Sequence, residues 1–178
     1  RFHEKLPSAP FPFVMPVWAP DDFPEPVANS GLRERERYGL VGKRVVMYAG
    51  NHSISHPLNG LFEIVKSKKF EGRLGFVFMG GGVAKRPIDD WIAKEHPTNA
   101  RSLPYQPREG VYDHLSMSDV QVVVVGPKTV GIVHPSKIYG ALAAGRAVLV
   151  IGPKDSPAAR IVEENDLGWV VENDDLIG

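Results

Sequence analysis

The chain has no cysteine, and this absence excludes several kinds of chemistry at once. Disulfide bonds, thiolate metal ligands and thiol nucleophiles all need a residue that is not present. The sequence also lacks any apolar run near the roughly 18 residues of a membrane span, and no signal peptide is visible. We therefore expect a soluble, cytoplasmic protein.

An excess of charge of either sign is also missing. Lysine and arginine total 21, and aspartate and glutamate total 21, so the formal net charge is zero. This balance disfavours a nucleic-acid-binding protein or a polybasic membrane-surface protein, because both need surplus positive charge. The 178 residues predict one domain, and a chain of this size buries roughly 70% of its unfolded surface.

Glycine is absent from the start of the chain, where proline is concentrated. None of the 18 glycines precedes Gly31, and seven of the 16 prolines lie within Arg1–Pro26. Proline at this density excludes a helix interior or a central strand. We predict a proline-rich connector and short helix over residues 1–41 and a globular domain over residues 42–178. Because the chain begins with arginine rather than methionine, we expect it to be part of a longer protein.

From Gly42 onward, apolar runs rich in valine and isoleucine alternate with helical stretches. Several runs are continuously apolar, as is typical of strands buried on both faces. The predicted strands are Arg44–Ala49, Leu74–Met79, Ala100–Pro104, Val120–Val125, Ala147–Ile151 and Gly168–Val171. The predicted crossover helices are Leu58–Lys68, Pro87–Glu95, Gly110–Met117, Pro135–Ala144 and Ser156–Asn165. This alternation predicts an α/β fold with a doubly wound, Rossmann-like parallel sheet of six strands.

Ligands of such a sheet bind in the loops that follow the strands. The loop after strand one contains a single glycine, Gly50, and strand two ends in Met79–Gly82 without a carboxylate. A dinucleotide-binding domain requires a G-x-G-x-x-G loop and an acidic residue, so a nicotinamide cofactor is disfavoured. His52 and His56 are four residues apart, but no carboxylate cluster supports a metal site. His52 is either a contact to sugar or phosphate or an ordinary loop histidine.

The next two loops offer weaker candidates. Gly81 lies in a triple glycine before a helix, which allows either close approach to a ligand or a tight turn. Lys85 follows near that helix start, a poor place for a cation unless it contacts an anion. Tyr105, beside Gln106 in the loop after strand three, presents either a flat face to a nucleobase or an ordinary packed surface.

The strongest motif is the segment that begins at His134 and continues into strand five. Pro135 and Ser136 open a helix, and Lys137 follows in its first turn. The free amides of a helix start, together with a serine and a lysine, are suited to hold a phosphate or diphosphate. Gly145 is placed to end the helix as its C′ residue.

In its motifs the sequence resembles the family-four, or group 1, glycosyltransferases of bacterial capsule, O-antigen and colanic-acid assembly. The resemblance rests on PSKIYGALAAGRAVLVIG, supported in order by MPVWAPDDF, VVMYAGNH, FVFMGGG, LPYQPRE and LSMSDVQVVVV. It extends over nearly the whole chain, from about Val14 to Val171. It implies a two-domain GT-B architecture in which this chain is the C-terminal, nucleotide-sugar-binding half.

The resemblance also implies roles for individual residues. Ser136, Lys137 and nearby amides would meet the diphosphate of a nucleotide sugar, most simply a UDP-sugar. Tyr105 and Gln106 would border the base. The candidate substrate-binding set is completed by Gly50 and Asn51 in the interdomain cleft and by their neighbours, namely His52, Gly81, Lys85, His134 and Pro135. Neither a metal nor a cofactor is implied.

Partners and reaction follow from the same resemblance. They are a nucleotide-sugar donor, a glycan or lipid-linked acceptor and an N-terminal domain, with no nucleic acid. That N-terminal domain would supply the catalytic residues and any peripheral contact with the inner face of the plasma membrane. The isolated chain would be inactive, and the family implies retention of configuration.

One departure from the family pattern affects sugar recognition. Many members carry two glutamates eight residues apart, and here Ile132 and Gly140 occupy those positions. Glu163 and Glu164 are either substitutes or an ordinary solvated helix end. The alternative function is therefore a GT-B-like nucleotide-sugar epimerase or a binding module that has lost catalysis.

Overall fold

The computed structural model describes residues 29–172, so most of the predicted connector, residues 1–28, lies outside the described part. Six parallel strands form one sheet in the order β3-β2-β1-β4-β5-β6. They are β1 (Arg44–Asn51), β2 (Leu74–Gly81), β3 (Ala100–Leu103), β4 (Val120–Val124), β5 (Ala147–Ile151) and β6 (Gly168–Val171). The predicted doubly wound α/β fold is confirmed.

Six α-helices accompany the strands in this part of the chain. They are α1 (Ser30–Arg37), α2 (Asn59–Lys66), α3 (Arg86–Glu95), α4 (Val111–Ser116), α5 (Lys137–Ala143) and α6 (Pro157–Glu164). Each predicted helix is present, with ends that differ by up to two residues. Among the described residues, no helix has the length and apolar character to cross a membrane.

The helices cover both faces of the sheet because successive side chains of a strand point to opposite sides. On one face, Tyr48 and Phe78 pack with α2 and α3. On the other face, Met47 and Met79 pack with α4, and a neighbouring cluster around Val123 packs with α5 and α6. Right-handed crossovers produce this division, since the chain moves in opposite directions on the two sides of β1.

Helix α5 ends as the sequence predicts. Gly145 has a φ of 64°, and its amide donates to the Leu142 carbonyl at 2.9 Å. The Arg146 amide donates to the Ala141 carbonyl at 3.0 Å. These two bonds define a Schellman motif, whose left-handed C′ residue favours glycine. The chain therefore turns sharply from α5 into β5.

Of all neighbouring strands in the sheet, β1 and β4 are paired over the fewest residues. Val46 pairs with Val120 and Met47 with Gln121, whereas β1 and β2 pair along eight positions. Asp119, just before β4, links the two strands at their amino ends because its carboxylate accepts from the Val45 amide at 2.7 Å. Beyond Met47 the two strands are no longer paired, and the chain reverses its direction of winding here. A crevice at such a switch point is where doubly wound sheets bind ligands.

Candidate functional site

A cavity of about 190 Å³ lies at the switch point, at the carboxyl ends of the strands. Gly50, Tyr105, Gln106 and Lys137, four of the predicted site residues, lie in its lining. The other lining residues are Ala49, Met79, Gly80, Val111, Leu115, Gln121 and Gly140. The structure thus brings together the ends of β1 and β2, the loop after β3, and the start of α5.

Lys137 is the unusual charge of this cavity. Its Nζ atom lies 3.7 Å from the centroid of the Tyr48 ring and is buried. Within residues 29–172 it has no hydrogen-bond partner. Burial lowers the pKa of this ammonium to about 7. A buried cation without a carboxylate partner is costly, and the contact with the aromatic face offsets part of that cost.

An anion that enters the cavity would supply the partner that Lys137 lacks. Its Nζ also lies beside β1, because a Cβ atom on Gly50 would be 3.4 Å from it. Because Gly50 has no side chain, the Lys137 side chain has room to pass close to the backbone of β1. The amine of Lys137 thus lies at the carboxyl ends of the strands, where ligands of doubly wound sheets bind.

Tyr48 is a rigid platform for that amine. Its hydroxyl donates to the Asn51 carbonyl at 2.8 Å, and burial raises the pKa of this phenol well above its usual range. The His52 ring packs edge-on against it, with 4.7 Å between ring centroids. The contacts with Asn51 and His52 thus fix the position of the ring under Lys137.

Tyr105 forms the rim of the cavity and is 61% exposed. A Cβ atom on Gly81 would lie 2.9 Å from its ring, so glycine at the end of β2 allows the ring to approach the strand. Beside it, Gln106 Nε2 donates to the Pro104 carbonyl at 3.0 Å. The flat, accessible tyrosine face is suited to stack on a planar ligand.

His52 and Asn51 do not line the cavity. The His52 side chain is fully buried, and its Nδ1–H donates to the Gly50 carbonyl at 3.1 Å. Burial lowers the pKa of His52 to about 4, so the ring is neutral near pH 7. Asn51 is exposed at the end of β1. Of the two interpretations of His52, the structure favours the ordinary loop histidine, because its ring is enclosed in the core below the loop.

The arrangement of Lys85 differs from the expected anion contact. Its Nζ donates to the Gly80 carbonyl at 2.9 Å and to the Leu103 carbonyl at 2.7 Å. The Asp89 carboxylate is 3.7 Å away. Burial lowers the pKa of this lysine, although Asp89 opposes that effect. Lys85 therefore ties the ends of β2 and β3 together and has no donor directed at the cavity.

The residues before Lys137 flank the cavity without lining it. His134 Nε2 and the Tyr139 hydroxyl are 2.9 Å apart, and Pro135 is buried. Ser136 is exposed and its hydroxyl makes no capping bond, while α5 begins one residue later. The helix thus starts two residues after the predicted position, since Pro135 and Ser136 form a tighter turn that leads into it.

The two positions of the family's glutamates lie apart. Ile132 is 74% exposed in the loop after β4, whereas Gly140 is on α5 and lines the cavity. In the part of the chain that the structure describes, the cavity lining accordingly contains no carboxylate. Glu163 and Glu164 are at the end of α6, whose chain direction carries them to the opposite edge of the sheet. Neither of them substitutes for a glutamate at Gly140.

His52 and His56, the two histidines of the first loop, have different hydrogen-bond partners. His56 Nδ1 lies 2.7 Å from the Ser53 hydroxyl, and burial lowers the pKa of His56, with the charge of Lys137 adding to that effect. Among residues 29–172, no three histidine, aspartate or glutamate side chains come together as a metal site would require.

Sequence reasoning overlooked two residues of this site. Gln121 lines the cavity from β4, and Tyr48 carries the Lys137 amine from β1. Gln121 is the single polar residue of the apolar run VQVVVV. A polar residue within a buried central strand is costly without a partner, so it could have been recognised as a candidate site residue. Tyr48 has no comparable signal, because aromatic residues are common in strands.

Comparison with known proteins gives a consistent group of relatives. The probable glycosyltransferase WbjE of Pseudomonas aeruginosa is 25% identical over 128 residues, which are 72% of this chain and 32% of that protein. The C-terminal domain of LpcC, a group 1 glycosyl transferase family protein of Francisella tularensis, aligns over 85% of this chain and 78% of its own. Its TM-score is 0.60 at 14% identity. The resemblance to group 1 glycosyltransferases of the GT-B fold is confirmed.

Two further GT-B glycosyltransferase structures extend the likeness. WaaG, which is involved in lipopolysaccharide biosynthesis, covers 90% of this chain with a TM-score of 0.65 and 16% identity. HepE of Anabaena, solved with UDP and glucose, covers 84% with a TM-score of 0.63 and 15% identity. This chain spans 45% of WaaG, 41% of HepE and about a third of WbjE. No protein-family model matches the chain.

Proposed function

We propose that this chain is the donor-binding half of a glycosyltransferase that uses a nucleoside diphosphate sugar, a UDP-sugar in the simplest case. One observation carries the proposal: Lys137 Nζ is buried at the switch-point cavity and has no hydrogen-bond partner among residues 29–172. A diphosphate would neutralise this amine with charge-assisted hydrogen bonds. The transferred sugar would pass to a glycan or lipid-linked acceptor in polysaccharide assembly.

The size of the cavity supports an arrangement in which only part of the donor molecule lies inside it and the rest lies in neighbouring parts of the site. Its volume of about 190 Å³ is below the roughly 300–1,000 Å³ of sites that enclose a whole ligand. The cavity thus suits the base and ribose, with Tyr105 at its rim as a stacking surface. The diphosphate would lie at Lys137, and the sugar would extend towards the open edge of the sheet.

The role of Lys137 in such a transfer is electrostatic. As the glycosidic bond to the donor phosphate breaks, negative charge builds on the leaving diphosphate, and an adjacent ammonium stabilises that charge. In the described part of the chain, Lys137 and Tyr105 are the titratable groups of the cavity lining, which offers no carboxylate or histidine as a general base for an acceptor hydroxyl. We therefore assign acceptor binding and proton transfer to parts of the protein outside this chain.

Binding of UDP tests the proposal directly. We expect Lys137→Ala to weaken UDP binding by about 1–3 kcal/mol, the range for hydrogen bonds to a charged group. Isothermal titration calorimetry of the wild-type chain and the variant with UDP and with uridine measures this loss. Uridine lacks the diphosphate, so its weaker binding should be the same in both proteins.

Lys154→Ala is the matched control, because Lys154 is exposed in the loop after β5 and is absent from the cavity lining. It should leave the UDP affinity unchanged. Equal UDP affinity of the wild type and Lys137→Ala would contradict the assignment of the diphosphate to Lys137.

The absence of a carboxylate from the cavity favours a second candidate, a nucleotide-sugar-binding module or GT-B-like epimerase without transferase activity. Gly140 offers no side chain to hold a ribose or sugar hydroxyl. The longer protein to which such a chain belongs would then bind UDP-sugar without transferring it. Release of UDP that depends on an added lipid-linked or glycan acceptor would support the transferase and exclude this alternative.

A further inference from the structure

Gln121 is a buried polar residue on the floor of an otherwise mostly apolar part of the cavity. It lies on β4, is 4% exposed and contributes to the cavity lining. Its neighbours in that lining include the side chains of Met79, Val111 and Leu115. A buried carboxamide needs hydrogen-bond partners for both its nitrogen and its oxygen.

The hydrogen bonds of Ser118 fix which way the carboxamide faces. The Ser118 hydroxyl donates its one proton to the Leu115 carbonyl at 2.8 Å. The same oxygen therefore accepts from the group 2.8 Å away on Gln121, which must be Nε2. The second Nε2 contact is the Met47 sulfur at 3.3 Å. Neither Ser118 nor Met47 lines the cavity.

This orientation leaves Oε1 as the polar atom that Gln121 offers to the cavity. Within residues 29–172 the oxygen receives no hydrogen bond, while both contacts of the nitrogen are to the protein interior. Gln121 Oε1 is thus a hydrogen-bond acceptor in a lining that also holds the apolar side chains of Met79, Val111 and Leu115 and the ring of Tyr105. This combination matches a flat ring that carries an N–H donor on its edge.

We propose that Gln121 is a specificity-determining residue whose Oε1 accepts the imide N–H of a uracil-type base. The inference rests on the proposed function, because it assumes that a nucleotide occupies this cavity. A site built around a hydrogen bond discriminates strongly against an analogue that lacks the donor, since the buried acceptor is then left unpaired.

Other parts of a sugar nucleotide fit this floor less well. A phosphate carries only acceptors near pH 7, so a carboxamide oxygen repels it, and Lys137 offers the better partner at the same cavity. A hexose ring presents hydroxyls around its whole edge, whereas Met79, Val111 and Leu115 offer no partners for them. A base with one edge directed at Gln121 leaves its two faces for the apolar walls.

Comparison of UDP with UDP methylated at N3 of the uracil ring tests the role of Gln121. The methyl group replaces the imide proton and keeps the diphosphate and ribose. We expect the wild-type chain to bind UDP at least about tenfold more tightly than the methylated nucleotide in calorimetric titrations. In Gln121→Met, which retains the length of the side chain but lacks the oxygen, the two affinities should agree within about twofold.

Lys154→Ala is the matched control. Lys154 is exposed and lies outside the cavity lining, so the preference for UDP over the methylated nucleotide should persist. Thermal melts of each variant, recorded without nucleotide, verify that the domain is folded. The comparison in the wild type does not depend on any variant and tests the inference by itself.

The outcomes separate this inference from the proposed function. Equal affinity of the wild type for both nucleotides, or a preserved preference in Gln121→Met, would overturn the role of Gln121. If UDP binding still depended on Lys137, the proposed function would stand. Failure of the wild-type chain to bind UDP would overturn both.

Discussion

Lys137→Met is expected to stabilise the folded domain below pH 7 by about 2–4 kcal/mol while weakening its binding of UDP by about 1–3 kcal/mol. Lys137 Nζ is buried without a hydrogen-bond partner in the described part of the chain, and burial lowers its pKa to about 7. Methionine has a similar shape and no charge, so it keeps the contact with Tyr48 and avoids the cost of burying an ammonium.

The gain in stability should depend on pH in a defined direction. In the unfolded chain the lysine has its ordinary pKa of 10.5, and in the folded protein its pKa is about 7. Between these values the unfolded state binds more protons, so wild-type stability rises with pH. Below pH 7 both states are protonated and the full cost remains. The advantage of Lys137→Met should therefore be largest at pH 6 and shrink towards pH 10.

Urea denaturation of wild type and variant at several pH values measures this difference. Groups that do not interact with Lys137 contribute equally in the two proteins, whereas His52 and His56, whose pKa values the charge of Lys137 lowers, add to the gain at low pH. Lys128→Met is the control, because Lys128 is exposed in the turn after β4. It should change stability little at any pH. A Lys137→Met variant that is less stable than the wild type at pH 6 would show that the amine has a stabilising partner.

Gly80→Ala is expected to destabilise the domain by about 4 kcal/mol or more. Gly80 pairs with Gly50 across β1 and β2, and its φ is 122°. A Cβ atom there would lie 2.0 Å from the Gly50 carbonyl oxygen, which is backbone and cannot rotate away. The strand ends would have to separate, and the lining of the cavity would separate with them.

Gly42→Ala isolates the steric part of this effect. Gly42 also has a positive φ, 79°, but a Cβ atom there would meet nothing within 4 Å. Its substitution should cost about 1–2 kcal/mol, from backbone strain alone. If the two variants had comparable urea midpoints, the ends of β1 and β2 would be able to move apart at little cost, and the predicted steric effect at Gly80 would be wrong.

The architecture was predictable because its local signals are strong. Continuous apolar runs such as Ala147–Ile151 identified buried strands, and the predicted start and end of that strand agree with the structure. Gly145 marked the end of α5 because the left-handed backbone at a helix C′ position favours glycine. The connector over residues 1–28 stays a prediction, since it lies outside the described residues.

The directions of the side chains could not be derived in the same way. Lys85, Lys137 and His52 each lie near the end of a strand or the start of a helix, and the sequence makes each a candidate ligand contact, with Lys137 in the strongest motif. In the structure Lys85 binds two carbonyls, His52 is enclosed in the core, and Lys137 alone lines the cavity. Long-range contacts decide these outcomes, and no spacing along the chain encodes them.

The short pairing of β1 with β4 divides the sheet into two three-stranded halves that share only two registered residue pairs. Gly50 belongs to one half, while Lys137 is carried by the helix that follows the other. A ligand in the cavity would therefore add contacts between the two halves, which already share the apolar cluster of Tyr48, Val122 and Ile151. Amide hydrogen exchange at the ends of β1 and β4 should slow on binding, because local opening there would break the contacts with the ligand.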